Sequence, residues 1–392
     1  IRACHDGSRW FDRVVLSAPM IALPAGRLTS VAGPVDVTLS SGRVTTPNFN
    51  VATAYADARV RIQYPTTSPT VTTCSSDNFT IRPDTLTITS TDATNTGTSG
   101  TPAIKTGANF NLTANGGAGY TGTPSNNSTS KITGTPTAGT LGGSFTPAAS
   151  NAASGTFFYS EVGNFGLLAD AIIDSGFVVA ADQGGSDCVA SSTSNSLSGG
   201  KYGCWIGSTA VAQTTGSSGF GRFIPDNFNV SYNTPVIAPS CTGFSYVGQT
   251  FNFTTAPVMT VTARSGTNNG LTNTTTVNYA GSYMKFTNTS LAPAAYDTQA
   301  ERYLRFDAIG GGATPALDVS QLPATTADPV IGTFTSGVGA FTFSGGSGFS
   351  FTRSATTPSA AFDADIALGL NVIDTDGVTF AANPAAFGSA AA

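Results

Sequence analysis

Four aspartates near the C-terminal end of the chain have a spacing suited to an oxygen-ligand metal site. They are Asp363, Asp365, Asp374 and Asp376, within residues 362–378 (FDADIALGLNVIDTDGV). Hard cations such as Ca²⁺ bind several carboxylate and carbonyl oxygens, and a D-x-D-G sequence places two carboxylates on one tight turn. The four aspartates are therefore candidate calcium ligands, although an ordinary Asx-type turn that needs no ligand is the commoner explanation of D-T-D-G.

Residues suited to acid–base catalysis are scarce. His5 is the only histidine, and Glu161 and Glu301 are the only glutamates. A Ser/His/Asp or Cys/His arrangement would have to use His5 as its base. Glu161 is expected to pair with backbone groups or with an arginine such as Arg222. We therefore predict no enzymatic activity; the weaker alternative, an extracellular glycan-directed enzyme, requires two carboxylates about 5 to 10 Å apart in one cleft.

The five cysteines lack the C-x-x-C spacing of zinc and redox sites. Cys188 and Cys204 flank a Ser/Gly-rich loop with little apolar content to order it, so a disulfide between them is expected to hold its two ends together. A second bridge, Cys4 with Cys74, would fasten the N-terminal region and leave Cys241 unpaired. The alternative is a set of free, buried thiols in a reducing compartment.

The composition indicates a neutral, polar exterior. Charged residues make up 10% of the 392 residues and the net charge is −5, whereas about 25% of residues are charged in a typical globular protein. With no basic cluster, the chain lacks the surface that nucleic-acid binding requires. No apolar run is long enough for a transmembrane helix. The absence of an initiating Met and of a signal peptide predicts a processed or truncated product.

Period-two alternation of apolar residues with Ser or Thr recurs along the chain, and Gly-rich breaks separate the segments. The clearest examples are residues 35–46, 84–91, 256–264 and 339–353. This pattern is typical of half-buried antiparallel strands. In the last segment, phenylalanines on both sides of residues 344–348 predict a β-hairpin with an aromatic face.

We therefore predict an all-β protein of tandem antiparallel β-sandwich modules with an immunoglobulin-like architecture. Breaks in the pattern divide it into an N-terminal β module (1–74), a middle β-sandwich (75–220), a third β-sandwich (221–307) and a C-terminal β region (308–392). The last two ranges can also form one domain.

Two stretches carry a family signature. F-x-Y-x-E-V-G-x-F occurs within residues 155–177, and G-R-F-x-P-D-x-F followed by C-x-x-F-x-Y-x-G-Q-x-F occurs within residues 221–251. From about Cys74 to its last residue, the chain resembles the MshQ-like family of bacterial surface proteins. This resemblance implies an association with a type IV pilus system of the mannose-sensitive haemagglutinin type. The family's own activity is poorly defined.

The sequence thus predicts an exported, non-enzymatic cell-surface protein that acts as a pilus-associated adhesin or assembly component. The alternative is a repeating subunit of an extracellular fibre held by strand exchange. The expected partners are pilus or other filament subunits, further copies of the chain, or a glycan receptor. Trp10, Phe11, Tyr202 and Trp205 are candidate sugar-binding rings, although core packing is the commoner explanation for such residues in β-proteins. No cofactor is expected apart from the calcium ion.

Overall fold

The structure is a computed structural model of the whole chain. It describes residues 13–22, 28–30, 34–38, 51–64, 71–74, 79–178, 183, 187–293, 303–307, 315, 318, 328–344, 348–362 and 364–391. Within these ranges the regular structure consists almost entirely of β-strands, and the predicted all-β class of several packed sheets is confirmed. Two short 3₁₀ segments interrupt the strands, at Asn268–Gly270 and Gly281–Tyr283.

The N-terminal strands form one sheet of six. They are β1 (Arg13–Ala22), β2 (Leu28–Ser30), β3 (Pro34–Thr38), β4 (Tyr55–Tyr64), β5 (Val71–Cys74) and β6 (Phe79–Ile81). The order is β2-β1-β4-β5, with β3 also pairing with β1 and β6 with β4. All of these pairings are antiparallel.

The following eleven strands form two sheets that share one core. They are β7 (Thr85–Thr89), β8 (Ile104–Lys105), β9 (Asn109–Asn115), β10 (Ser125–Asn126), β11 (Ile132–Gly134), β12 (Leu141–Phe145), β13 (Ala152–Tyr159), β14 (Gly163–Leu167), β15 (Ile172–Asp174), β16 (Ile206–Ser208) and β17 (Phe220–Ile224). One sheet has the order β10-β15-β16-β7-β9-β13-β12, and the other has the order β11-β14-β17-β8. Apolar side chains from both sheets meet in this first core, among them Phe110, Phe157, Phe165 and Phe223.

The remaining strands form a second pair of sheets around a second core. They are β18 (Asn227–Tyr232), β19 (Val236–Ala238), β20 (Asn252–Thr255), β21 (Val258–Arg264), β22 (Ala292–Pro293), β23 (Tyr303–Asp307), β24 (Val330–Ile331), β25 (Val338–Thr342), β26 (Ala364–Asn371) and β27 (Ala385–Ala391). The sheet orders are β18-β21-β25-β24 and β20-β19-β27-β26-β22, with β23 also pairing with β26. Met259, Phe341 and Leu370 are among the residues buried in this second core.

Among the strands that the structure describes, three pairs are parallel, and each joins an early strand to a much later one. They are β7 with β16, β8 with β17, and β19 with β27. The C-terminal strand β27 therefore lies inside its sheet, between β19 on one side and β26 on the other.

The domain boundaries expected from the sequence stay a prediction.

The period-two segments 84–91 and 256–264 form strands with the expected burial. Side chains of β7 and β21 alternate between buried and more exposed positions. The predicted hairpin across residues 344–348 is wrong, because β25 already has β21 and β24 as its two neighbours. Phe349 instead forms a two-way backbone bridge with Phe251. The phenylalanines of segment 339–353 are buried as expected, but the strand partner of Phe349 is the distant Phe251.

Candidate functional site

Glu161 lies between β13 and β14 and is almost fully buried. Its Oε1 atom accepts hydrogen bonds from the backbone N–H groups of Val162 at 2.8 Å and Asn278 at 3.1 Å, and its Oε2 atom accepts one from Val277 at 3.1 Å. Burial raises the pKa of Glu161, and the three backbone donors oppose that shift. The backbone pairing expected from the sequence is therefore found, whereas Arg222 pairs elsewhere.

Asp174 closes a turn in the first core. Its Oδ1 atom accepts backbone hydrogen bonds from Gly176 at 2.9 Å and Phe177 at 3.0 Å. Its Oδ2 atom accepts the hydroxyl of the fully buried Tyr120 at 2.6 Å. Burial, followed by the bond to this carboxylate, raises the pKa of Tyr120 far above its usual range.

Asp374 makes an equivalent set of bonds in the second core. Its Oδ1 atom accepts the backbone N–H groups of Asp376 and Val378, both at 3.0 Å. Its Oδ2 atom accepts the hydroxyl of the fully buried Tyr279 at 2.7 Å. Each core thus contains one Tyr–Asp pair in which both carboxylate oxygens bind donors of the protein itself. The D-T-D-G sequence forms the Asx-type turn that was the alternative to a calcium site.

Asp376, the second aspartate of that turn, forms an ion pair with Arg222. The Arg222 side chain is only 3% exposed, and its Nη1 atom also donates to the carbonyl of Gly100 at 3.2 Å. A buried guanidinium is costly unless it is paired, so the carboxylate of Asp376 compensates the charge of Arg222. Sequence reasoning missed this pair, because its two members are 154 positions apart.

The four predicted calcium ligands are brought together only in part. Asp374 and Asp376 share one turn, Asp365 lies on β26, and Asp363 lies outside the described residues. Among the residues that the structure describes, no group of three or more His, Cys, Asp or Glu side chains has the arrangement of a metal site. The calcium site stays a prediction.

Asp374→Asn is expected to remove a pH-dependent contribution to stability. Burial raises the pKa of Asp374 above its ordinary value of 3.8, and hydrogen bonds from Tyr279 and Val378 oppose this shift only in part. The folded state then binds the proton more tightly than the unfolded state. The free energy of unfolding of the wild type, relative to the variant, should rise as the pH falls through the folded-state pKa and level off below 3.8.

The measurement is denaturant unfolding of both proteins from about pH 3 to pH 7. Curves that keep a constant separation at all pH values would contradict this expectation. A wild type that loses stability relative to the variant on acidification would reverse its sign.

The predicted Cys188–Cys204 disulfide is present. The loop between the two cysteines is held from outside by Arg82, whose guanidinium donates to the carbonyls of Gly203 at 2.8 Å and Ser194 at 3.0 Å. Hydrogen bonds from the Arg82 side chain to backbone carbonyls therefore help to order a Ser/Gly-rich loop that has few apolar anchors of its own. The predicted Cys4–Cys74 bridge cannot be placed, since Cys4 and the side chain of Cys74 lie outside the described residues.

Two of the four candidate sugar-binding rings lie within the described residues. Tyr202 is 50% exposed and Trp205 is partly buried beside the disulfide loop. Trp10 and Phe11 lie outside the described residues. Their predicted role in sugar binding stays a prediction.

An uncharged aromatic groove of about 520 Å³ lies at one side of the second core. Phe251, Phe351 and Phe362 line it, with ring centroids 5.7 Å apart for Phe251–Phe351 and 5.1 Å apart for Phe351–Phe362. At its rim, Phe244 and Tyr246 are 51% and 67% exposed. We call these five residues the aromatic groove. Exposed aromatic rings beside a concave apolar surface are typical of a binding site.

Comparison with known proteins places this groove, Tyr279 and the Asp374 turn inside one recognisable segment. Residues 197–391 match the family model of DUF6701, third domain. The matched residues also include Arg222, Asp376 and the C-x-x-F-x-Y-x-G-Q-x-F sequence. Both partners of the buried ion pair and all five residues of the aromatic groove therefore lie within the matched range 197–391.

No match was found among the curated proteins. Among solved structures, the chain is similar to "Structure of surface layer protein SbsC, domains 4-9", with 12% sequence identity and a TM-score of 0.18. The alignment covers 99% of this chain and 40% of that chain, so the chain spans well under half of the length of that structure. Within the described residues, no helix has the length and apolar character needed to cross a bilayer.

Proposed function

We propose that the protein is exported and works at the bacterial cell surface, without catalysis, as an adhesin or assembly component of a pilus. The Cys188–Cys204 disulfide is the observation that carries the proposal of export. Structural disulfides persist in oxidising compartments and are rare in the cytoplasm. The pilus part of the proposal draws on the MshQ-like motifs within residues 155–177 and 221–251.

A non-enzymatic role is supported by the hydrogen bonds that the buried carboxylates accept from groups of the protein itself. Glu161 accepts three backbone donors, and Asp174 and Asp374 each accept two backbone donors and one tyrosine hydroxyl. A general acid or base needs an oxygen that is free to exchange a proton with a substrate. These three side chains instead fasten turns and strands to the cores.

Loss of the disulfide is expected to lower the free energy of unfolding by about 3 kcal/mol, the value that chain entropy gives for a loop of roughly this length. The bridged cysteines are 16 positions apart. The Cys188→Ala/Cys204→Ala double variant should show this loss in denaturant unfolding and faster proteolysis between the two positions. Under reducing conditions the difference in stability between the wild type and the double variant should disappear, because both then lack the Cys188–Cys204 bond. Equal stability of both proteins would contradict the expectation.

Localisation tests the proposed function directly. We expect the protein of intact producing cells to be digested by added protease, to carry the Cys188–Cys204 bond, and to copurify with sheared pili. Purified protein should also bind cells, pilus subunits or a glycan. Retention inside the cell with both thiols reduced would overturn the proposal of export, and failure to bind any of these partners would overturn the adhesive role.

A repeating fibre subunit held by strand exchange is the second candidate, and β27 is the strand through which the exchange would occur. This C-terminal strand fills an interior place in its sheet, next to β19 and β26. The same place could be filled by β27 of a neighbouring copy, which would link the copies through backbone hydrogen bonds.

A pair of engineered cysteines distinguishes the two arrangements. Val236 and Ala390 are register partners across β19 and β27. In filaments of a Val236→Cys/Ala390→Cys variant, strand exchange predicts disulfide-linked multimers on a non-reducing gel. A bond formed only within single chains would overturn the fibre model.

A further inference from the structure

The sequence between β19 and β20 folds into two consecutive tight turns. In the first turn, Cys241 and Phe244 exchange backbone hydrogen bonds at 3.0 and 3.4 Å. In the second turn, the N–H of Gln249 donates to the carbonyl of Tyr246 at 2.9 Å. Each turn has a glycine at its third position, Gly243 with φ 84° and Gly248 with φ 86°, where L side chains are disfavoured.

The two turns bring a thiol against a carboxamide. The Sγ atom of Cys241 is 3.8 Å from Oε1 and 3.7 Å from Nε2 of Gln249. The sulfur is therefore nearly equidistant from the two terminal atoms of the carboxamide, and the carbon bonded to both is the electrophilic centre. Cys241 is partly buried and takes no part in the disulfide.

A hydrogen-bond donor stands where negative charge would develop. The backbone N–H of Tyr246 donates to Oε1 of Gln249 at 3.0 Å. Addition of the thiol to the carboxamide carbon converts Oε1 into an oxyanion, and a fixed backbone donor at this distance stabilises that charge. Nucleophile, electrophile and oxyanion donor thus lie within a single nine-residue segment, which removes the entropic cost of bringing them together.

We propose that Cys241 and Gln249 form an internal thioester, through which the protein attaches covalently to primary amines. In the first step, Sγ of Cys241 bonds to Cδ of Gln249, the Cδ–Nε2 bond breaks, and the thiol proton leaves with the nitrogen as ammonia. In the second step, a primary amine bonds to Cδ, and the Cδ–Sγ bond breaks. Sulfur takes the proton that the amine loses, which restores the Cys241 thiol and leaves an amide.

The aromatic groove is suited to the second step. Residues 243–247, which lie between Cys241 and Gln249, form one wall of this uncharged groove. An amine attacks only in its neutral form, and an apolar surrounding favours that form over the ammonium ion. The amine-bearing partner that we infer is a lysine side chain on a protein surface. The thioester itself does not depend on the proposed surface role, whereas a cell-surface lysine as its acceptor does.

Intact-mass measurement of the purified full chain tests the bond independently of localisation. The wild type is expected to lack the mass of one ammonia molecule and to gain the mass of methylamine when treated with that amine. Cys241→Ala and Gln249→Ala should show the full expected mass and no methylamine adduct. Thr242→Ala, which changes an exposed residue of the same turn, should behave as the wild type does.

Peptide mapping assigns the remaining outcomes. Hydrolysis of the thioester would leave glutamate at position 249 of the wild type, whereas Cys241→Ala would keep glutamine there. This result supports the proposal. Full wild-type mass, an intact Gln249 and a thiol that reacts with N-ethylmaleimide would overturn it. A reductant-sensitive dimer through Cys241 would also overturn it, since an unpaired cysteine of a secreted protein can instead bond to a second chain.

Discussion

Glu161→Ala is expected to lower the free energy of unfolding by at least about 3 kcal/mol, because it leaves three backbone donors without their acceptor and each buried donor costs about 1 to 3 kcal/mol. The variant would remove the common acceptor of Val162, Val277 and Asn278. Two of these donors belong to a segment more than 100 positions further along the chain. The measurement is equilibrium denaturation followed by fluorescence or circular dichroism.

Two variants control for this result. Glu161→Gln keeps the size of the side chain but places an N–H₂ group against one of the donors, so it should lose a smaller but clear part of the stability. Asp187→Asn changes an exposed acidic residue and should alter stability by less than about 0.5 kcal/mol. A Glu161→Ala protein as stable as the Asp187→Asn protein would show that water replaces the carboxylate without loss.

Asp376→Ala is expected to cost about 3 to 5 kcal/mol, the usual penalty for removing one partner of a buried ion pair. The penalty arises because Arg222 stays charged and buried. Among the described salt bridges, Asp376 is its only carboxylate partner. Replacing both residues, as in Arg222→Met/Asp376→Ala, should recover much of the loss, because no unpaired buried charge remains.

Lys105 and Asp226 provide a matched surface control. Their charged atoms are 3.6 Å apart, and their side chains are 51% and 33% exposed. Lys105→Ala should therefore cost at most about 1 kcal/mol. If Asp376→Ala is no more harmful than Lys105→Ala, the Arg222 charge is solvated in solution and does not depend on Asp376.

Local features of the sequence were enough to predict the strands. Alternation in residues 84–91 and 256–264 predicted β7 and β21, because the side-chain period of a strand is a property of neighbouring residues. The aromatic segment 339–353 shows where this reasoning ends. Its phenylalanines were correctly assigned to a buried face, but the choice between a hairpin and the distant Phe251 depends on the fold as a whole.

The sequence predicted the type of some buried polar contacts but not the residues that take part in them. Glu161 was expected to bind backbone groups, yet nothing in the sequence identifies Val277 and Asn278 as the donors. Asp374 was recognised as part of a turn, whereas its bond to Tyr279 joins residues 95 positions apart. Such contacts form where strands of different sheets meet, so they follow from tertiary packing.

The parallel pairing of β7 with β16, β8 with β17 and β19 with β27 determines how the chain responds to tension. A pull along the chain enters at the start of the earlier strand and leaves at the end of the later one. In a parallel pair these two points lie at opposite ends, so the force slides the strands past each other and loads their hydrogen bonds simultaneously. An antiparallel hairpin pulled at its two ends would open one bond at a time. Two such pairs border the first core and one borders the second, so tension shears at least one strand pair of each core.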